Sequence, residues 1–390
     1  MRIVDVCAFY APAGGGVKTY VERKLKAGAA AGHEVIIVAP GREDGTLLSL
    51  GSSAIVTLAS PALPVDRRYR YFDDEPALHA LLDRLRPDVI EASSPWASPS
   101  MVARWPGSAL RSLVVHADPL SAYAYRWFGP VASRETIDRA CEPFWRHLRN
   151  LDRDFDLVVS PSRSLGRRLK AGGLAKVTTI PMGVEPGIFT PARRSETLRA
   201  RLLARCGLDA HATLLIGMGR HAPEKRWKMV IEAVAAAGYE RPVGLVLLGD
   251  GADRARVVRA AANNPHIQLL APVHDRDELA TILASADALI HGCEAETFCL
   301  AAAEAKASGL PLIVPDDGGA FDQLVEGQGI AYAAARPLAL SHALSGFLSD
   351  DPVGHRLRAA AAAGEVPGMD AHFDRLFGAY RQLASYSRAA

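Results

Sequence analysis

The sequence predicts an α/β protein of two doubly wound parallel-sheet domains, and three observations carry that prediction. Short apolar runs of strand length alternate with stretches of helical period in both halves of the chain. Glycine-rich or basic loops stand directly after several of these runs, at Gly14-Gly15-Gly16 in the first half and from Gly219 to Arg226 in the second. Between the halves lies Pro181 to Pro191 (PMGVEPGIFTP), with three prolines, two glycines and no periodicity, the best linker in the chain. The domains are expected at 1–185 and 192–368, followed by a C-terminal helix at 369–390 that packs back on the first domain.

Composition narrows the function classes. At 390 residues the chain is too long for one typical core, and 49% apolar residues with dispersed Gly and Pro exclude disorder and simple repeats. A net charge of +2 gives little attraction for nucleic acid. The five cysteines, Cys7, Cys141, Cys206, Cys293 and Cys299, form no C-x-x-C pair, as expected of reduced thiols, and no metal-binding cluster emerges. MRIVDVCAFY enters strand-like sequence without a leader pattern, and no apolar run approaches the roughly 20 residues of a membrane span. A cytoplasmic protein is expected, with any membrane contact peripheral and at the inner face.

Along the first half, Ile3 to Phe9 is an apolar run that ends in the glycine turn, Val17 to Ala31 has helical character, and His33 to Ala39 is a second strand. This order opens a doubly wound sheet. The turn is not G-x-G-x-x-G and no acidic residue ends the second strand, so a dinucleotide is not indicated. Glycines here let a ligand approach the backbone, and a plain tight turn accounts for them equally well. Ile55 to Leu58 reads as a strand, and Pro61 to Phe72 as a loop. Arg67, Arg68 and Arg70 in that loop can meet an anionic acceptor or a lipid head group, or can simply be solvated. Pro87 to Ile90 and Leu113 to His116 resume the strands. His116 falls at a strand's carboxyl end, where open α/β sheets bind ligands, although a packed structural histidine also fits. Trp127 to Leu151 reads as packing, Asp156 to Ser160 as a strand, Ser162 to Ala171 as a basic helix, and Val177 to Ile180 as the last strand of this half.

The second half restarts at Thr213 to Met218, followed by the loop GRHAPEKR and a helix from about Trp227 to Ala237. Arg220, His221, Lys225 and Arg226 suit a diphosphate at the mouth of a parallel sheet. Val243 to Leu248, Ile267 to Leu270, Asp287 to Ile290 and Leu312 to Val314 are further strands, and Phe373 to Tyr386 is a closing amphipathic helix. Between the last two strands Thr297 is placed to cap a helix that Gly309 and Pro311 terminate. The amides of Phe298, Cys299, Leu300 and Ala301 would then face an anion. Glu296 and Glu304 lie eight apart, about 80° off one helical face, so they share a site only with Glu296 in the preceding loop.

Taken in order, the Gly14-Gly15-Gly16 loop, His116, SPSRSL, IPMGVEPGIFTP, GRHAPEKRW, LLGDG and EAETFCLAAAEAKASGLPLIVPDDGG resemble the retaining glycosyltransferases of family four over nearly the whole length. The resemblance implies the GT-B fold, in which two Rossmann-like domains face each other across a cleft. It implies that Arg220 and Lys225 hold the diphosphate of a nucleotide sugar, UDP- or GDP-linked, and that Glu304 bonds the ribose. Glu296 then lies by the donor sugar, and His116 contacts that sugar from the first domain. Gly15, Gly16, Gly219, Thr297, Phe298, Cys299 and Leu300 complete the donor site. The chain departs from the family's common Glu-Gly-Phe-Gly, with Glu296-Thr297-Phe298-Cys299, and has Met182 where Asn is common.

The expected reaction transfers a hexose-type sugar to an acceptor hydroxyl with retention, without metal or other cofactor. The acceptor can be lipid-linked, anionic or small, including a glycolipid or cell-envelope glycan precursor. Two rival readings are a sugar- or nucleotide-binding protein that kept the fold without catalysis, and a nicotinamide-dependent oxidoreductase, which lacks its dinucleotide fingerprint.

Overall fold

The computed structural model describes residues 1–10, 16–63, 70–93 and 95–389. Gly14, Gly15, Arg67 and Arg68 therefore lie outside the described residues. The chain forms two compact units. Met1–Asp118, Phe128–Pro181 and Met369–Ala390 make the first, and Pro119–Trp127 with Met182–Gly368 make the second. The expected ranges differ from these units at Pro119–Trp127 and at the start of the second unit, Met182, which precedes the prolines Pro186 and Pro191 of the linker stretch.

The first unit holds an eight-stranded sheet. Its strands are β1 (Arg2–Val6), β2 (Glu34–Gly41), β3 (Gly45–Leu50), β4 (Ser53–Ala59), β5 (Val89–Ala92), β6 (Leu110–Val114), β7 (Leu157–Ser160) and β8 (Val177–Thr179). The spatial order is β3-β4-β2-β1-β5-β6-β7-β8, parallel except for the β3–β4 hairpin at one edge. The chain winds outward one way from β1 and the other way from β5, so the switch point lies between those two strands. β3 was not foreseen. All six of its residues are exposed, so no buried face imposes an apolar pattern.

Lys24, on the helix Gly16–Ala30, is wholly buried under this sheet. Its ammonium donates to Asp5 at 2.8 Å and to Glu91. Those carboxylates sit on the neighbouring strands β1 and β5 and take further donors, Ser93 Oγ on Asp5 at 2.7 Å and Tyr380 Oη on Glu91 at 2.7 Å. Tyr380 belongs to the C-terminal helix Met369–Ala389, whose Phe373, Leu376, Phe377 and Tyr380 are buried. The amphipathic period at the end of the sequence thus covers the first unit's sheet, with a polar clamp at its centre.

The second unit holds a six-stranded, all-parallel sheet of β9 (Thr213–Met218), β10 (Val243–Leu248), β11 (Ile267–Leu270), β12 (Ala288–Ile290), β13 (Leu312–Pro315) and β14 (Gly329–Tyr332). Its order is β11-β10-β9-β12-β13-β14, which puts the switch point between β9 and β12. The loops that follow those two strands are therefore neighbours, although about 70 residues of sequence separate them. Leu215, Leu245, Leu247, Ala288, Ile290 and Ile313 carry the core on the strands, and Trp227, Val230, Ile231 and Val234 cover it from the helix Trp227–Ala237. No helix among the described residues is long and apolar enough to cross a membrane.

Candidate active site

The loop after β9 is held by backbone before any side chain acts. Gly219 has φ 147°, and a Cβ on Gly249 would stand 2.0 Å from its carbonyl oxygen, so the turns after β9 and β10 require glycine where they meet. The His221 amide donates to the Asp250 carbonyl at 2.7 Å, and the Trp227 indole donates to the Arg220 carbonyl at 2.9 Å. A single turn, Pro223–Lys225, then leads into the helix Trp227–Ala237. This framework aims Lys225 at the switch point. Arg220, on the same loop, projects outward with its side chain 70% exposed and pairs with Glu224 at 3.2 Å.

The loop after β12 is anchored as firmly. Tyr332 Oη donates to the His291 carbonyl at 2.7 Å, and Arg226 makes a forked pair with Glu294, its Nε 2.8 Å from Oε2. The Gly319 amide donates to the Glu296 carbonyl at 2.7 Å, and a Cβ on Gly319 would lie 2.6 Å from the Phe298 backbone. Gln323 Nε2 donates to the Phe298 carbonyl at 3.1 Å. The double glycine after β13 is thus the floor that lets the 294–299 loop pack down.

Lys225 and Glu296 meet at the switch point as a close ion pair. His291 Nε2 stands 3.2 Å from the same carboxylate. Burial alone would raise the Glu296 carboxyl, but the Lys225 ammonium and the His291 hydrogen bond outweigh it and hold the group well below the carboxylate range. Burial likewise opposes the Lys225 charge, and Glu296 overcomes it, so Lys225 stays protonated. Lys225 and Glu296 thus neutralise each other.

The helix beyond starts later than expected and has a different cap. It runs Leu300–Ala307, and its N-cap is Cys299, in the left-handed conformation at φ 67°, ψ 73°. Thr297 is not the cap. The reason lies in the floor contacts: Glu296 and Phe298 spend their carbonyls on Gly319 and Gln323, which keeps that segment out of helical geometry. Among the described residues the helix amides without a backbone partner are consequently those of Leu300 and Ala301, not of Phe298 and Cys299, while the Ala302 amide meets the Cys299 sulfur. Cys299 Sγ reaches to 3.7 Å from His291 Nε2.

Glu304 lies on this helix and Glu296 in the loop before it. The Glu304 side chain is 6% exposed and is paired with Arg276, which also donates to Glu185 at 2.7 Å and lies 4.8 Å over the Phe189 ring. Burial raises the Glu304 carboxyl, opposed by Arg276. In the first unit, His116 follows β6 with its ring 4.7 Å from that of Tyr20, edge to face. Burial pushes its pKa down to about 4, so it is neutral near pH 7. Gly16 opens the helix Gly16–Ala30, and Gly15 lies outside the described residues.

Sequence reasoning missed His291, Arg276 and the Arg226–Glu294 pair. The rule that singled out His116, a histidine at a strand's carboxyl end, would have found His291, which directly follows β12. The two ion pairs carried no signal, because their partners are 28 and 68 residues apart.

Two family models match the chain, "Glycosyltransferase Family 4" over residues 14–187 and "Glycosyl transferases group 1" over residues 204–364. A GDP-mannose-dependent alpha-(1-6)-phosphatidylinositol dimannoside mannosyltransferase of Mycobacterium tuberculosis is 32% identical over 94% of this chain and 92% of its own length. The chain belongs to glycosyltransferase family four. A GDP-mannose-dependent alpha-mannosyltransferase of the same organism is 30% identical over 83% of this chain and 81% of its own. Among solved structures, sucrose-phosphate synthase from Thermosynechococcus elongatus superposes with a TM-score of 0.78 at 20% identity, covering 99% of this chain and all of that one. The Anabaena protein HepE in complex with UDP and glucose gives 0.72 at 17% identity, covering 98% and 100%. The fold is GT-B, and this family-four protein is a glycosyltransferase with a nucleotide-sugar donor. Its departure from the family's common Glu-Gly-Phe-Gly now has a geometry, since Cys299 occupies a left-handed position that glycine adopts without strain.

Proposed function

We propose that this glycosyltransferase moves mannose from GDP-mannose to a hydroxyl of a lipid-linked acceptor with retention of the anomeric configuration. The observation that carries the donor site is the convergence of Lys225, Glu296 and the Leu300 and Ala301 amides at the switch point of one parallel sheet. GDP-mannose as donor is supported by the 32% and 30% identical relatives, and a lipid-linked acceptor by the first of them, a phosphatidylinositol dimannoside mannosyltransferase. Exposed Tyr123 and Trp127, at 50–59% of their full area, offer the aromatic contacts an interfacial lipid would use.

In this reading the acceptor oxygen bonds to the anomeric carbon on the face from which the nucleotide departs. Its proton passes to the leaving diphosphate as the carbon–oxygen bond to phosphate breaks. Lys225, Arg220 and the helix amides stabilise the charge that develops on that diphosphate. Arg220 must swing from Glu224 to do so, which its exposed position allows. Glu296 orients the sugar and Glu304 the ribose, with Arg276 setting the Glu304 rotamer. Arginine, lysine and amide dipoles supply the positive charge, so no metal cofactor is invoked.

The test is incubation with GDP-mannose, UDP-glucose and related donors in the presence of phosphatidylinositol-type acceptors, following nucleotide release and the anomer of the product. Release should be fastest from GDP-mannose and the product should be the α-anomer. Lys225→Ala and Arg220→Ala should each lower the rate about a hundredfold, on the order of 3 kcal/mol. A β-linked product, or release unaffected by both substitutions, would refute the reading.

A further inference from the structure

We propose that His291, Glu296 and Cys299 bind a thiophilic divalent cation of the zinc class, and that its binding closes the donor site. His291 Nε2 lies 3.2 Å from Glu296 Oε1 and 3.7 Å from Cys299 Sγ, and one ligand atom from each of the three residues lies within 4.8 Å of the others. Zinc holds nitrogen and oxygen at about 2.0 Å and sulfur at about 2.3 Å in a tetrahedron, which places N···O at about 3.3 Å and N···S at about 3.6 Å. The nitrogen, carboxylate and thiol here already stand at those separations. The ligand set also selects the ion, since imidazole with thiolate favours zinc-like cations over magnesium or calcium, which take oxygen.

The site depends on the unusual cap. The glycine common in the family at position 299 has no ligand atom, whereas the left-handed backbone of Cys299 turns its thiol toward His291. His291 and Cys299 are almost fully buried, and Glu296, at 19% exposure, is the accessible member. On binding, Cys299 releases its thiol proton to solvent and the sulfur coordinates as thiolate. Lys225 is bonded to the same Glu296 oxygen, so a dication at that atom displaces the ammonium. His291 Nδ1 is buried with no hydrogen-bond partner among the described residues, so Nε2 lacks the outer partner that strengthens zinc-bound histidines. That places the expected affinity in the micromolar range.

Closure of the donor site rests on the proposed roles of Lys225 and Glu296, whereas ion binding does not. The metal-stripped full chain is titrated with zinc against a chromophoric chelator, and with cobalt to record the thiolate-to-metal charge-transfer band. Wild type should bind one zinc per chain at micromolar concentration and show the band. Cys299→Gly, which suits the left-handed backbone and so folds, should bind at least tenfold more weakly and lose the band. Cys293→Ser should keep both. Equal zinc affinity in wild type and Cys299→Gly, or a band that survives in that variant, would overturn the site. Zinc just sufficient to saturate wild type should also stop nucleotide release from GDP-mannose in wild type while lowering the rate of Cys299→Gly, whatever its level, by a much smaller fraction. Stoichiometric zinc binding with release untouched would leave the ion site standing and defeat the donor-site roles of Lys225 and Glu296.

Discussion

At the scale of single residues, the Lys225–Glu296 pair makes a statement about ligand binding. Each group is buried enough that its charge requires the other. Glu296→Gln keeps the shape and leaves Lys225 without its counter-ion, a loss on the order of 3 kcal/mol in the free protein. A nucleotide diphosphate would restore an anion to Lys225. GDP should therefore raise the melting temperature of Glu296→Gln by more than that of wild type, while sugar transfer falls. An equal or smaller shift would separate Lys225 from the diphosphate. Cys299→Gly has a different outcome, because removing left-handed strain gains about 1–2 kcal/mol and losing a buried thiol costs about as much. Its urea midpoint should stay close to that of wild type.

At the scale of elements, the first unit's sheet and the C-terminal helix meet at a buried charge cluster. Lys24 answers two carboxylates, and Tyr380 and Ser93 supply the remaining donors. Lys24→Met would strand Asp5 and Glu91 in a fully buried site, costing on the order of 3–5 kcal/mol by urea denaturation. Tyr380→Phe removes one donor from Glu91 and should cost about 1–3 kcal/mol. How legible an element was followed its burial. β9, β10 and β11 coincide residue for residue with the expected Thr213 to Met218, Val243 to Leu248 and Ile267 to Leu270. β9 and β10, inside a parallel sheet, are apolar along almost their whole length because both faces are covered. β3, exposed throughout, and β14, a four-residue edge strand, carried no such run. The helix Leu300–Ala307 was foreseen, but its start was not, because contacts with Gly319 and Gln323 set it.

At the scale of the whole molecule, pH acts on folding through buried histidines. His372, on the C-terminal helix, is 2% exposed, with Nδ1 3.0 Å from the Pro181 carbonyl and Nε2 3.1 Å from Tyr20 Oη. Burial pushes its pKa down to about 4, as it does for His116. An unfolded histidine takes up its proton near pH 6.5, so between about pH 6.5 and pH 4 the unfolded chain binds more protons than the native one. Stability is then full above about pH 6.5 and falls as pH drops toward 4, by on the order of 3 kcal/mol for each ring. The slope of unfolding free energy against pH over that window should flatten in His372→Gln. An unchanged slope would show that His372 is protonated in the native state.

What the sequence by itself determined is the alternation of strand and helix, the presence of two mainly parallel sheets, the family, and the residue types of the candidate site. These follow from local properties: apolar run length, helical period, glycine and proline positions, and motif order. The tertiary structure decided which of those residues meet. Strand order alone made neighbours of the loops after β9 and β12, and so joined Lys225 to Glu296 across 71 positions of sequence. The floor formed by Gly319 and Gln323 moved the helix start to Leu300 and turned Cys299 toward His291. The physical reason is that pairing at a switch point and steric support from a distant turn are long-range effects, which leave no periodicity in the segments they bring together.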